Sequence, residues 1–246
     1  MDAADTIRNS IADVTALRRH RMGDPSLAQA VQEVKELQSR RFTGTYADLM
    51  ADPMVQPATH FFLEELYSPG DFSDRDDQFG RIAGTLQTVF PKPVVQTAVS
   101  LALLHAQTEE LDHAMGHAWR DLAATPGEAA RYARAWRAVG ERPARHQQLA
   151  SVIAIGEDLT RLTRMPGLRT LLHMMRRPAR AAGLGALQRF LESGFDTFGE
   201  LARQRGAVER FLATVQERES RLMQTLFEAP AVACETELTT TLGQAR

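Results

Sequence analysis

Along most of the chain apolar residues recur every three or four positions, the spacing that lines one face of an α-helix. Ile7, Ile11, Val14 and Leu17 make a first, short amphipathic stripe. Asp24-Pro25 then reads as an N-cap followed by proline at the first helical position, ahead of Leu27, Val31, Val34 and Leu37. Gly44 reads as an interruption, with a brief helix around Tyr46 to Met50. Pro57 opens a helix carrying Phe61, Phe62 and Leu66, and Ser68-Pro69-Gly70 ends it. Ser73 is expected to cap the next, with Asp74, Asp76 and Asp77 in a first turn where negative charge suits the helix dipole. Its stripe is Phe79, Ile82, Leu86 and Val89.

Pro91-Lys92-Pro93 precedes the longest periodic segment, Val94 to Leu122. Thr125-Pro126-Gly127-Glu128 has the form of a capping box for a helix that Gly140 closes. Further helices are expected from Pro143 to Arg164, after Met165-Pro166-Gly167 up to Pro178, from Gly185 to Gln204 and from Ala207 to Glu228. Alternating β-branched runs and Asn-Gly or Asp-Gly hairpin turns do not occur in the sequence. The pattern therefore predicts an all-α protein, a single bundle-like domain of about eight or nine helices over residues 23–228. Residues 1–22 are expected to be an amphipathic segment that can fray. Residues 229–246, small and polar, are expected to be a disordered tail.

Composition changes this picture little. With 43% apolar and 24% charged residues the chain is of ordinary globular type, and a net charge of −2 argues against a dedicated nucleic-acid binder. One cysteine, Cys234, cannot form an internal disulfide, so a reducing compartment is expected. The acidic start Met1-Asp2-Ala3-Ala4-Asp5 lacks the form of a secretory signal. The longest apolar run, Ala98 to Leu104, is too short to cross a bilayer, so no transmembrane segment and a cytoplasmic location are expected.

Candidate chemistry concentrates on the long helix. At about 100° per residue, His105, Glu109 and Asp112 fall within a sector of about 60°, with Val94, Ala98, Leu101 and Trp119 in or beside it. Polar groups on an apolar face must find partners, so the cluster could be a metal site, an acid–base site or a satisfied hydrogen-bond network. His113 lies one turn beyond Glu109. With His117 it points about 100° away from the apolar sector, towards surface or interface. Glu110-Leu-Asp-His113 is similar to the Glu-x-x-His motif of ferritin-like di-iron proteins, although this chain carries one such motif where those carry two. His60-Phe-Phe-Leu-Glu64 with His113-Ala-Met-Gly-His117 resembles fragments of the hemerythrin ligand pattern, at a longer separation. Leu103-Leu-His105-Ala is similar to the surroundings of the proximal globin histidine. Each likeness covers a few residues and assigns no family.

Two other segments carry candidates. Glu64 or Glu65, among Phe61, Phe62 and Tyr67, could complete a metal site with the central helix. Between Asp158 and Glu192 no acidic residue occurs, while Arg161, Arg164, Arg169, Arg176, Arg177, Arg180 and Arg189 do, interleaved with Leu168, Leu171, Leu172, Met174 and Met175. Arginine forks suit phosphate or carboxylate, and methionines suit an adaptable surface. The first expectation is thus a binding or regulatory protein that engages an anionic protein, a phospholipid surface or a phosphorylated ligand through Arg161–Arg180. The bland alternative is a solvated rim paired with the acidic 64–77 region. No Gly-rich phosphate loop, Gly-x-Ser-x-Gly or Cys-x-x-Cys motif appears, so no catalytic residue is assigned and no cofactor is expected. A second expectation, from another class, is a non-haem metal protein or oxidase. It would hold iron or another transition metal with His105, Glu109, Asp112 or His113 and Glu64 or Glu65. Oligomeric state is left open.

Overall fold

A computed structural model describes residues 2–65, 68–122 and 127–245. Leu66, Tyr67 and the Thr125-Pro126 half of the expected capping box lie outside the described residues. These contain thirteen helices and no strand. They are α1 (Ala3–Met22), α2 (Pro25–Thr45), α3 (Ala47–Ala51), α4 (Gln56–Glu65), α5 (Ser73–Val89), α6 (Lys92–Asp121) and α7 (Glu128–Val139). There follow α8 (Arg142–Thr163), α9 (Leu168–Met174), α10 (Arg176–Ala181), α11 (Gly185–Leu201), α12 (Ala207–Glu228) and α13 (Ala231–Gln244). No helix is long and apolar enough to cross a membrane among the described residues.

The long helix α6 is the hub. It packs on α1, α2, α7 and α8, while α5 leans on α1 and α12 closes over α8 and α7. The α2 start is as the sequence reads: Asp24 Oδ1 accepts the Leu27 N–H at 3.1 Å, with Pro25 at the first helical position. At the α5 start Ser73 is the first helical residue instead of the cap, Phe72 holds the cap position without a side-chain hydrogen bond, and Asp71 Oδ1 accepts the Ser73 N–H at 2.9 Å.

The excess over eight or nine helices has physical causes. The segment expected to be able to fray forms α1, in which Asp2 is the cap, accepting the Asp5 N–H at 2.8 Å, and Ile7, Ile11 and Val14 are buried, the helix lying against α5 and α6. Pro178 starts rather than stops a helix. It sits in the first turn of α10, where its missing N–H removes no helical bond. Where a disordered tail is expected, Ala231–Gln244 form α13, which lies against α2 and α7 with Cys234 and Leu238 fully buried.

Gly44 explains that docking. It does not interrupt α2, which runs through it to Thr45. A Cβ at this position would stand 1.9 Å from the Thr241 carbonyl oxygen, so only glycine lets the backbones of α2 and α13 meet. Gly116 serves the α2–α6 contact similarly, a Cβ there falling 2.3 Å from Val31 Cγ2.

Candidate functional site

Where α2, α4, α5, α6, α7, α8, α11 and α12 converge they line a half-open cavity of about 150 Å³. Helical spacing builds its walls. From α2, Lys35, Gln38 and Arg41 stand three residues apart and so share a face. From α6 come Leu101, Leu104, His105, Thr108, Glu109 and Asp112; from α8 come Arg145, Gln148, Leu149 and Val152. Tyr132 and Trp136 of α7, Asp76 and Phe79 of α5, Glu65 of α4, Leu187 and Phe190 of α11, and Glu219 and Met223 of α12 also line it. Apolar and aromatic side chains share the lining with a set of charged ones.

The charges pair in a definite order. His105 Nε2 lies 2.9 Å from Asp76 Oδ2, which also accepts from Arg18. Burial opposes ionisation of Asp76, but His105 and Arg18 outweigh it and hold the carboxyl below its ordinary range. Arg21 Nη2 donates to Glu109 Oε2 at 2.8 Å, and Lys35 donates to the other carboxylate oxygen. Against the penalty of burial, Lys35 and Arg21 draw the Glu109 pKa down to about 2. Arg41 Nη1 donates to Glu219 at 2.6 Å, and the Tyr46 hydroxyl donates to the same oxygen at 2.9 Å.

Two groups stand outside this pairing. Asp112, 6% exposed, has Lys35 Nζ at 3.8 Å; burial pushes its pKa up to about 6 despite Lys35, and the Glu109 charge adds to the rise. Arg145, 3% exposed, donates through Nε to the Gly140 carbonyl at 3.2 Å and lies over the Trp136 ring at 3.4 Å from its centroid. Its Nη2 is buried without a hydrogen-bond partner, and Arg145 makes no ion pair among the described residues. Arg145 sits in the first turn of α8, shortly after Glu141, whose φ of 52° is the one left-handed non-glycine backbone among the described residues.

Of the residues singled out from sequence, His105, Glu109, Asp112 and Glu65 line this one cavity, while Glu64, His113 and the basic stretch lie outside it. His105, Glu109 and Asp112 do share a cavity wall, but each answers to a cation or carboxylate from another helix. Glu65 is held by Arg75 at 3.1 Å. Glu64 is exposed, with His60 at 3.4 Å. His113 faces the other way, towards His20 and His117. Of the basic stretch, Arg161, Arg169 and Arg176 pair with Asp158, Asp196 and Glu192, not with the 64–77 region. Arg164, Arg177, Arg180 and Arg189 are exposed and make no ion pair among the described residues.

Sequence reasoning missed Asp76, Lys35, Gln38, Arg41, Tyr132 and Arg145. Asp76 looked like a helix-capping carboxylate yet is buried. The α2 trio was visible only as a three-residue polar repeat beside Val34 and Leu37. Nothing in the linear sequence sets Arg145 apart among 29 lysines and arginines.

The fold and cavity together define an all-helical protein with a half-open chamber, mainly apolar and bordered by several charged side chains. Residues 17–232 match the family described as Domain of unknown function (DUF8198), and the chain belongs to that family. No curated protein and no solved structure matches it.

Proposed function

We propose that the protein is a binding protein that takes a small amphipathic carboxylate into this cavity. The carboxylate would meet Arg145, and the apolar body would lie against Leu101, Leu104, Val152 and Trp136. Arg145 carries the reading: it is a buried guanidinium on the cavity wall with an unpartnered Nη2 and no carboxylate in direct contact among the described residues, the Asp112 and Glu141 charges acting on it only from farther off. Burying an unpaired charge costs several kcal/mol. A ligand carboxylate supplies the missing partner through a charge-assisted, fork-like pair of hydrogen bonds. Cavity size limits the rest, since about 150 Å³ also accommodates benzene in an apolar protein core. The anionic ligand expected from sequence is thereby assigned to interior arginines instead of the exposed stretch.

Calorimetric titration with aromatic and branched-chain monocarboxylates, and with their neutral amides, tests the proposal. The acids should bind and the amides should not, and Arg145→Met should abolish binding while retaining the helical spectrum. Ligand charge favours the protonated form of Asp112, so affinity should rise as pH falls through about 6. Equal binding of acids and amides, or binding of neither, would sink the assignment.

A second reading has its own support. Arg164, Arg177, Arg180 and Arg189 are exposed beside Met174, which is 69% exposed, a combination suited to an anionic phospholipid surface. A cytoplasmic setting suits Cys234, buried as a free thiol.

A further inference from the structure

One helical turn beyond Glu109 along α6, outside the cavity lining, three imidazoles converge. His113 and His117 are one turn apart on α6, and His20 reaches them from the last turn of α1. One ring nitrogen from each lies within 4.8 Å of the others. The His113 and His117 ring centroids are 4.9 Å apart, and those of His20 and His113 are 5.2 Å apart. His113 Nδ1 is buried without a hydrogen-bond partner. Among the described residues this is the one group of three or more histidine, cysteine or carboxylate ligands that meets in this way.

We propose that His20, His113 and His117 form a site for a divalent transition metal of zinc's type, which fastens the end of α1 to α6. Two histidines at i and i+4 on one helix face are a recurrent zinc-binding pair, and neutral imidazole suits zinc, nickel and copper. Zinc–nitrogen bonds of about 2.0–2.1 Å place tetrahedral ligands roughly 3.3 Å apart, so a rotamer adjustment of about 1 Å closes the site. Three protein nitrogens leave a fourth position for water. Arg120 Nη2 contacts His117 Nδ1 at 3.4 Å, and it can leave that weak contact because Asp24 and Asp121 hold the same guanidinium at 3.0 and 3.1 Å. His20 is followed by Arg21, which holds Glu109 on the cavity wall. A metal here therefore steadies one side of the ligand chamber, although the site stands whether or not the chamber takes a carboxylate.

The test is titration of untagged, chelator-treated full chain with Zn²⁺ by calorimetry and with Co²⁺ by visible absorption. The expected result is one equivalent bound, a cobalt spectrum of tetrahedral type without a thiolate charge-transfer band, and a raised Tm with Zn²⁺. His20→Ala, at an exposed position, should leave the helical spectrum intact and weaken binding by about 100-fold, and His117→Ala should do the same. Absence of Zn²⁺ binding at sub-millimolar concentration overturns the proposal. So does binding that both variants retain, or a thiolate band pointing to Cys234.

Discussion

Replacing Asp112 by asparagine should stabilise the protein at neutral pH and do nothing in acid. The carboxyl is buried against Glu109, and its pKa is pushed up to about 6 from the ordinary 3.8. An acid whose pKa is raised by folding keeps its proton in the native state between these values, while the unfolded chain has lost it. Stability therefore falls as pH rises from about 4 to about 6 and stays lowered above that. At 1.36 kcal/mol for each pKa unit, the penalty at pH 7 is about 3 kcal/mol. The substituted amide would mimic the protonated acid in shape and charge and should recover most of it. Glu109 acts with the opposite sign. Its pKa of about 2, against 4.5, contributes about 3 kcal/mol that is present above pH 4.5 and lost as pH falls towards 2. The difference between Asp112→Asn and wild type cancels the Glu109 contribution and isolates Asp112. Urea unfolding of both proteins across pH 4–8 should give curves that coincide near pH 4 and diverge through about 6, with the variant above. A variant less stable than wild type at pH 7 would show that Asp112 works there as an ionised partner of Lys35, and the reasoning would fail.

Gly44→Ala should force α13 off α2, because the added Cβ meets the Thr241 backbone oxygen instead of a movable side chain. The cost should be about 1–3 kcal/mol, with Cys234 reacting faster with a thiol reagent; unchanged labelling and stability would contradict the packing argument. On the outer face, Arg177→Glu with Arg180→Glu should abolish sedimentation with anionic phospholipid vesicles and leave carboxylate binding intact. Vesicle binding that survives the charge reversal, or that salt does not weaken, would remove this surface from the membrane reading.

The helices were legible because their punctuation is local. Asp24-Pro25 sets the α2 start through one hydrogen bond between residues three apart, and the stripes of α2, α5 and α6 repeat at helical spacing within a single element. What escaped was whatever depends on a second element. The α13 stripe is only Cys234, Leu238 and the partly buried Leu242, too sparse to announce a docked helix. Its anchorage depends on Gly44, nearly two hundred residues earlier, and glycine within a helical pattern ordinarily reads as a break.

The same division runs through the site. Periodicity placed His105, Glu109 and Asp112 on an otherwise apolar face, and burial does make them interact. Their chemistry, however, is set by Arg18, Arg21, Lys35 and Asp76, which arrive from α1, α2 and α5 and give each of the three a charged partner, Asp112 the most distant one. Arg21 Nη1, Arg41 Nε and Trp136 Nε1 are also buried without a hydrogen-bond partner, but of the three arginines Arg145 is the one with no carboxylate in contact among the described residues. Glu109 has two cations and Arg41 has Glu219, whereas Arg145 has a backbone carbonyl, an aromatic ring and open space. A structural arginine in such surroundings would be expected to have acquired a carboxylate, as Arg41 did. Replacing a buried charge by an apolar side chain of similar volume is often neutral or stabilising, so packing alone gives no reason for a guanidinium at this position. Its charge makes sense once the counter-ion comes from outside the chain.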